Sequence, residues 1–394
     1  MLKSDLSLVA MPQFRRWDIF CAAVDNYGDA GVCWRLARQL AGEHALSVRL
    51  FVDVLSALTR IAPGIDASRG EQFADGVQVR TWQGPGGAAP VDGEADVVIE
   101  GFGCGLPAPY LAAMAARESP PVWINLEYLS AESWIEGCHG LPSRHPSLPL
   151  TRYFFFPGFS GASGGLLRER DLLARRDAFR ADAKAQAAFR RRLGFDRGEG
   201  DAQVISLFCY PDAPVPALLD AWVDGDAPVL CIVPQGVATS ALDAWTGGGI
   251  PHAGQALRRG RLTLVEVPFM ALDDYDRLLW SCDLNFVRGE DSFVRAQWAA
   301  RALVWQPYPQ AGGAHRLKLD AFLDRYVEGL APDAAAALRA FAAAWSGDGE
   351  LAPAWNGFSA AHTRLGAHGA VWAQRLAQAP DLATSLVKFC TDRV

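Results

Sequence analysis

The sequence of 394 residues contains no run of about 18 uncharged apolar residues, the length that a membrane-spanning helix needs. Its beginning also lacks the continuous apolar segment and small-residue cleavage site of a secretory signal peptide. The eight cysteines include no CxxC pair, so we expect reduced thiols buried in the core. These absences predict a cytoplasmic protein that does not contact a membrane.

Positive charge is not in excess either, with 37 Lys and Arg against 44 Asp and Glu and a net charge of −7. Binding to nucleic-acid phosphates requires a concentrated basic face, so no nucleic-acid partner is predicted. His139, His145 and His315 do not have the spacing of a zinc site. No GxGxxG opens a helix after a strand, which argues against a dinucleotide-dependent dehydrogenase. We therefore expect no cofactor and no metal.

The composition instead favours a large folded core, because 50% of the residues are hydrophobic and 13 are Trp and 20 are Phe. The length suits two α/β domains of roughly 150 to 200 residues each. Short β-rich runs alternate with helical patterns in two series, at 17–24, 46–53, 77–82, 96–102 and 121–129, and then at 202–210, 228–234, 262–269, 282–289 and 302–308. Near-continuous apolar strands that alternate with helices predict two doubly wound parallel sheets.

Helical segments complete this plan. The Arg- and Ala-rich segment 166–193 is predicted to be a helix with a solvated arginine face, and the domain boundary to lie near 165–180. Residues 333–394 are helical by their Ala, Leu and Trp content and are expected to close the second domain and cross back over the first. A cleft between the two domains is the expected position of the site.

The stretch AAVDNYGDAGVCWRLARQL, residues 22–40, places two aspartates between an apolar run and a helix. Asp25 follows the first strand, Gly28 is expected to adopt a positive φ, and Asp29 stands where the helix N-cap belongs. One aspartate could cap the helix while the other makes an Asx turn. Two carboxylates on one crevice loop would, however, repel each other unless a cation lies beside them. The pair indicates a cationic substrate group or a catalytic base.

The stretch CDLNFVRGEDSFVRAQWAAR, residues 282–301, ends a strand at Val287 and opens a helix at Asp291 or Ser292. Unpaired amides at the helix N-terminus, the Arg288 guanidinium and the Ser292 hydroxyl together suit a diphosphate. The alternative is a capped surface helix with a salt bridge between Arg288 and Glu290. A buried carboxylate at Glu290 suits a sugar hydroxyl better than a phosphate.

Aromatic residues occur near this motif in sequence, Phe208 and Tyr210 at the end of one strand and Phe269 and Tyr275 after another. A planar base in a cleft is commonly held between such rings. Aromatic residues at strand ends are also often part of the core, and that alternative is the stronger one for Phe208.

Together the motifs resemble a known family, the elongation-factor-P arginine rhamnosyltransferases (EarP). The resemblance runs in order and spacing over residues 17–323 and is carried by DIFCAAVDNYGDAGVCWRLARQLA, INLEYLSAESW, FFFPGF, SGGLLRE, DYDRLLWSCDLNFVRGEDSFVRAQWA and VWQPYPQ. It implies the GT-B fold, with two Rossmann-like domains facing a central cleft. Residues 1–170 would be the acceptor domain and 171–365 the nucleotide-sugar domain, with a helical segment, 366–394, that packs back toward the first domain.

The resemblance implies transfer of L-rhamnose from dTDP-β-L-rhamnose to an arginine side chain of translation elongation factor P, with inversion. The modified factor would then relieve ribosome stalling at polyproline. Asp29, Asp25 and Glu290 are the implied catalytic residues. The implied donor-binding residues are Asn26, Tyr27, Gly28, Tyr210, Phe269, Tyr275, Arg288, Gly289, Glu290, Asp291 and Ser292. Leu272 stands where many members carry a glutamine that reaches the base, so base recognition would depend more on stacking and backbone groups.

The chemistry of arginine agrees with these roles. A guanidinium has a pKa above about 12 and is a poor nucleophile at neutral pH. Asp29 would orient it and accept its proton as the C–N bond forms. Asp25 would hold the guanidinium or position the loop, and Arg288 and the helix amides would stabilise the charge on the departing dTDP. Two alternatives stay open: a GT-B enzyme with another nucleotide sugar and a small-molecule or lipid acceptor, and an inactive GT-B-like protein that only binds a translation factor.

Overall fold

The computed structural model describes residues 15–22, 27–84, 86–87, 94–197, 202–248 and 255–393. Within these ranges the chain forms two separate sheets with helices between their strands. Consecutive residues of the central strands are buried, as in β5 (Val97–Gly101), so both faces of the sheets are covered.

The first sheet has eight strands in the order β3-β4-β2-β1-β5-β6-β8-β7. Its pairs are parallel except for the two outer ones, β3 with β4 and β7 with β8. The strands are β1 (Arg16–Cys21), β2 (Ser47–Val52), β3 (Glu71–Ala74), β4 (Val77–Thr81), β5, β6 (Val122–Leu126), β7 (Pro142–Arg144) and β8 (Thr151–Phe155). The helices of this part are α1 (Gly28–His44), α2 (Leu55–Ile61), α3 (Ala108–Ala115) and α4 (Trp134–Cys138).

The second sheet has six strands in the order β11-β12-β10-β9-β13-β14, parallel except for β11 with β12. The strands are β9 (Gln203–Leu207), β10 (Val229–Pro234), β11 (Ala256–Arg259), β12 (Leu262–Val267), β13 (Leu284–Arg288) and β14 (Ala302–Gln306). The helices that precede or connect them are α5 (Leu172–Ala181), α6 (Ala183–Leu193), α7 (Val215–Val223), α8 (Thr239–Thr246), α9 (Leu272–Ser281) and α10 (Asp291–Trp298).

Helices form the remainder of the described chain. A short 3₁₀ turn (Ala311–Gly313) leads into α11 (Ala314–Tyr326), α12 (Pro332–Trp345), α13 (Leu351–Ala360), α14 (His362–Leu376) and α15 (Leu382–Thr391). The last helix returns to the first domain, where Nε2 of Gln39 on α1 donates to Oδ1 of Asp381 at 2.9 Å. The backbone N–H of Leu382 donates to the carbonyl of Leu166 at 2.9 Å.

All ten predicted strands are present, each one to four residues shorter than the apolar run that predicted it. Four further strands, β3, β7, β8 and β11, were not predicted. Three of them are antiparallel edge strands of three or four residues, too short to show a clear period. The helical prediction for 166–193 is confirmed for most of the segment, but residues 166–171 are not helical and the rest forms two helices, α5 and α6. Asp182 caps α6, since its carboxylate accepts from the backbone N–H groups of Lys184 and Ala185.

The order of the strands determines where a ligand can bind. In the first sheet β1 lies between β2 and β5, and in the second β9 lies between β10 and β13, so the chain winds outward in both directions from these central pairs. Turns that leave the carboxyl ends of such central pairs form a crevice, the usual ligand site of open α/β sheets. Both predicted motifs follow such strands, β1 and β13.

The eight cysteines all lie in the described ranges, are unbonded, and six of them are buried. No helix in the described ranges is both long enough and apolar enough to cross a bilayer.

Candidate active site

Two cavities occupy the cleft between the sheets. The first, of about 60 Å³, is lined mainly by apolar and aromatic side chains, with Tyr27, Gly28 and Ile61 from the first domain and Phe208, Pro234, Phe269, Met270, Leu272, Tyr275, Arg288, Asp291 and Ser292 from the second. The second, of about 250 Å³, is lined by Asp29, Tyr128, Leu129, Gly289, Glu290, Trp305, Pro307, Tyr308, Gln310 and Lys318. Two turns contribute to both cavities. In one, Gly28 lines the first cavity and Asp29 the second. In the other, Arg288, Asp291 and Ser292 line the first cavity and Gly289 and Glu290 the second. The cavities are therefore neighbours.

The turn after β1 differs from its prediction. Helix α1 begins at Gly28, which has a helical backbone and no positive φ, and Tyr27 is the N-cap residue with φ −94°. The predicted left-handed Gly28 and the predicted N-cap role of Asp29 are both wrong, because the first helical hydrogen bond already runs from Gly31 N–H to the Tyr27 carbonyl at 2.9 Å. Asp29 lies in the first turn of α1, where the positive end of the helix dipole favours its charge, and is 2% exposed. Asp25 and Asn26 lie outside the described residues.

Glu290 lines the second cavity together with Asp29. It is the N-cap residue of α10, and its Oε2 accepts a 2.9 Å hydrogen bond from the backbone N–H of Leu129 in the first domain. The pKa of Glu290 is raised to about 8, chiefly by burial. The Leu129 N–H and the charge of Lys318 oppose this rise, and the charges of Asp29 and Asp291 add to it. Near neutral pH the group is therefore largely protonated and can donate a hydrogen bond.

Arg288 ends β13 with its guanidinium stacked on two rings, 4.6 Å from the centroid of Phe208 and 4.6 Å from that of Tyr210. Its Nη1 donates to the carbonyl of Cys209 at 3.0 Å. No salt bridge joins it to Glu290 among the described residues, and Oε2 of Glu290 accepts from the Leu129 N–H instead. Stacking and one carbonyl leave most guanidinium N–H groups available, which suits Arg288 to an anionic ligand in the first cavity.

The turn after Arg288 is shaped by Gly289, whose φ of +58° is a left-handed conformation that glycine adopts without strain. The Ser292 hydroxyl accepts from the backbone N–H of Arg288 at 3.1 Å and donates to its carbonyl. The N-cap residue Glu290 makes no side-chain hydrogen bond to the first amides of α10. The helix N-terminus thus presents amides beside the first cavity, as the sequence predicted.

Asp291 has a different environment from the one predicted for a donor ligand. Its Oδ1 accepts from Nη1 of Arg35 at 2.8 Å, and its Oδ2 accepts from Nε of Arg295 at 2.7 Å. Burial alone would raise the pKa of Asp291, but the two guanidinium groups hold it below its ordinary value. Both carboxylate oxygens are engaged within the protein, although the residue borders the first cavity.

Aromatic rings from both domains meet at the first cavity. The rings of Tyr27 and Phe269 lie 5.1 Å apart between centroids. The guanidinium of Arg60, at the end of α2, lies 4.4 Å from the Phe269 ring, and its Nη1 donates to the Tyr27 hydroxyl at 3.0 Å. Sequence reasoning missed Arg60, because nothing in the local pattern of α2 shows that it lies across the cleft from Phe269.

The other predicted aromatic residues lie on either side of Arg288. Tyr275 on α9 lines the first cavity, and burial raises the pKa of its hydroxyl, which has the Ser292 side chain as a neighbour. Tyr210 does not line the first cavity. Its ring stands edge-on to that of Tyr308, which lines the second cavity, with 5.6 Å between the ring centroids. Phe208, for which the core was the stronger interpretation, lines the first cavity. The described residues contain no group of three or more His, Cys, Asp or Glu arranged to hold a metal ion.

Comparison with known proteins agrees with this geometry. Residues 17–391 match the family described as Elongation-Factor P (EF-P) rhamnosyltransferase EarP. The protein-arginine rhamnosyltransferase of Pseudomonas putida is 52% identical over 373 residues, covering 95% of this chain and 98% of that protein. The protein-arginine rhamnosyltransferase of Pseudomonas aeruginosa is 49% identical over 376 residues, covering 95% of this chain and 99% of its own length. The chain belongs to the EarP family.

As an EarP family member, the chain is an enzyme of the protein-arginine rhamnosyltransferase class. A solved structure on the structural basis for EarP-mediated arginine glycosylation of translation elongation factor EF-P matches with a TM-score of 0.69 and 39% identity, over 96% of this chain and 99% of that chain. The predicted GT-B fold, with two Rossmann-like domains facing a cleft and a helical C-terminal segment, is confirmed.

Proposed function

We propose that this EarP family enzyme transfers L-rhamnose from dTDP-β-L-rhamnose to the side chain of one arginine of translation elongation factor P, with inversion at the anomeric carbon. The observation that carries the proposal is the pair of neighbouring cavities, bordered by the same two turns. The names of the relatives support rhamnose and arginine, and the matched solved structure supports elongation factor P as acceptor.

The first cavity suits the nucleotide part of the donor. Phe269 and Tyr275 offer rings for the base, and Leu272 adds an apolar wall where no side-chain amide is present. The diphosphate would lie against Arg288 and the first amides of α10. The Ser292 hydroxyl, which donates to the Arg288 carbonyl here, would turn from that carbonyl to donate to the diphosphate. These groups are positive or hydrogen-bond donating, so they stabilise the charge that grows on the leaving dTDP without a metal ion.

The second cavity suits the sugar and the arriving guanidinium. Asp29 and Glu290 are its acidic side chains, and Glu290 with its raised pKa can share a hydrogen bond with a sugar hydroxyl. Asp29 would pair with the cation and accept its proton. Asp25, four residues earlier in the sequence, would hold the guanidinium or position the loop.

The proposed reaction is a single displacement. A guanidinium nitrogen of the acceptor arginine forms a bond to the anomeric carbon while the bond from that carbon to the diphosphate oxygen breaks, and the bonding electrons leave with dTDP. The nitrogen loses a proton to Asp29 as its bond to carbon forms. Attack from the face opposite the diphosphate inverts the anomeric centre, and no covalent enzyme intermediate is formed. The product, rhamnosylated elongation factor P, would relieve ribosome stalling at polyproline in the cytoplasm.

Intact-mass analysis of elongation factor P tests this proposal directly. Incubation with the enzyme and dTDP-β-L-rhamnose is expected to add the mass of one deoxyhexosyl group. Elongation factor P with its acceptor arginine replaced by lysine is the matched control and should gain no mass. NMR of the modified arginine would show the α-anomer if the reaction inverts.

Two outcomes would contradict the proposal. Transfer from other nucleotide sugars at the same rate would show that the donor is misassigned. No transfer to elongation factor P, with transfer to a small-molecule or lipid acceptor, would favour the alternative glycosyltransferase.

A further inference from the structure

A buried network of five charged side chains connects α1 of the first domain to α10 of the second. Its members are Arg35, Glu169, Asp291, Arg295 and Asp276. Four of these side chains are 8% exposed or less, and Glu169 is 22% exposed. Buried charges are costly unless each is paired and hydrogen-bonded, so a network of this size restricts how its helices can move.

Arg35 is the centre of the connection. Its Nε and Nη2 donate to the two carboxylate oxygens of Glu169, each at 2.8 Å, and its Nη1 donates to Oδ1 of Asp291 at 2.8 Å. A bidentate pair of this kind fixes the plane of the guanidinium. Arg295 completes the network, since it binds Oδ2 of Asp291 at 2.7 Å and Oδ1 of Asp276 at 2.9 Å. Asp291 is thus held between one arginine from each domain.

The helices touch at the turns that carry the candidate catalytic residues. A Cβ atom added to Gly31 of α1 would lie 3.2 Å from Oδ2 of Asp291. Asp29 precedes Gly31 by two residues, and Glu290 directly precedes Asp291. A small shift between Gly31 and Asp291 would therefore change the separation of Asp29 from Glu290.

We propose that Asp291 and Arg35 are positioning residues that set the distance between the acceptor-side Asp29 and the donor-side turn 288–290, and that the Asp291 carboxylate does this in place of binding the donor. Reactions in which a nucleophile must meet a bound electrophile lose rate steeply with small misplacement. The proposal concerns the arrangement of the site, and it rests on the proposed function for the catalytic role of Asp29 and for the donor used in the assay.

Two glycines of α1 provide a matched test. Gly31→Ala adds one methyl group against Asp291, which two arginines hold in place, whereas Gly42→Ala adds the same group where nothing lies within 4 Å. Both changes favour the helix by about 1 kcal/mol of propensity, so neither is expected to destabilise α1 itself. We expect kcat of Gly31→Ala to fall about tenfold or more, with the Kd for dTDP unchanged, and Gly42→Ala to retain the wild-type kcat.

A second pair of variants tests the ion pair itself. Arg35→Lys removes the fork that joins Glu169 to Asp291. Arg49→Lys removes a similar buried fork, in which Nε and Nη2 of Arg49 bind Asp18 at 2.7 and 2.6 Å within the first sheet. We expect kcat to fall in Arg35→Lys and to stay near the wild-type value in Arg49→Lys. If Arg35→Lys does not fold, Gly31→Ala decides the matter.

A wild-type kcat in Gly31→Ala, or in folded Arg35→Lys, would overturn the positioning role. A fall in kcat with a parallel loss of dTDP affinity would also overturn it, and would make Asp291 a donor ligand. Absence of transfer by the wild type in the same assay concerns the proposed function instead, so the two failures are distinguishable.

Discussion

The backbone N–H of Leu129 donates a 2.9 Å hydrogen bond to Oε2 of Glu290, and so joins the loop after β6 in one domain to the first turn of α10 in the other. This bond crosses the cleft beside the second cavity. Glu290 therefore retains this hydrogen bond only while the two domains keep their relative position. The contact makes the protonation state of Glu290 a property of the assembled cleft.

The free energy of unfolding should depend on pH through Glu290. Its pKa rises from an ordinary value of 4.5 to about 8 on folding, so between these values the folded protein keeps a proton that the unfolded chain has lost. Stability from this group is present below about pH 4.5 and is lost as the pH rises toward 8. Glu290→Gln removes the titration, so its stability relative to wild type should rise between about pH 5 and pH 8, by at most about 1.4 kcal/mol per pH unit.

Urea unfolding of both proteins across that range measures the effect. A difference in free energy that stays constant with pH would show that Glu290 titrates near its ordinary value. Glu328→Gln, at an exposed pair with Arg375, is the control for the loss of a carboxylate at the surface.

Asp29→Asn is expected to abolish transfer while dTDP still binds. The amide keeps the shape of the buried side chain but cannot accept the guanidinium proton. Asp29 lines the second cavity, whereas the residues proposed to hold the nucleotide line the first. A transfer assay paired with calorimetric titration of dTDP checks both halves. Normal turnover by the variant would remove Asp29 from the mechanism.

Arg288→Ala should weaken dTDP binding about ten- to hundredfold, because a charge-assisted hydrogen bond typically contributes about 1.5 to 3 kcal/mol. The same change removes the stacking on Phe208 and Tyr210, so the melting temperature must be measured alongside. Arg339→Ala, at a surface pair with Asp324, controls for loss of a positive charge. An unchanged Kd for dTDP would mean that the amides of α10 bind the diphosphate without Arg288.

Activity is expected to survive chelation of divalent ions. The groups proposed to meet the diphosphate are Arg288, the Ser292 hydroxyl and helix amides, and the carboxylate of Asp291 is already paired with Arg35 and Arg295. A cation beside Arg288 would be repelled. Transfer rates with excess EDTA and with added Mg²⁺ decide the point. A large loss in EDTA that Mg²⁺ restores would contradict the assigned role of Arg288.

Local patterns in the sequence were sufficient for much of the fold. The ten apolar runs became ten strands because a strand buried on both faces must be apolar throughout, and that requirement is visible in any short window. The helix after Gly289 was predicted for a similar reason, because the residues that follow this turn have apolar side chains at helical spacing. Both motifs also lie at the carboxyl ends of central strands, as their positions in the alternating series implied.

Other features depend on residues that are far apart in the chain. Asp291 and Arg35 are 256 positions apart, and only the packing of α1 against α10 brings their charges together. The Asp291 carboxylate, which the motif assigned to donor binding, is bound to Arg35 instead. Arg60 on α2 likewise contacts the ring of Phe269 only because the two domains pack against each other. The sequence by itself determined the ten apolar strands and the segments that carry reactive side chains. Tertiary structure alone decided which charges neutralise each other across the cleft, because Coulomb attraction and burial depend on distances in space that no local pattern encodes.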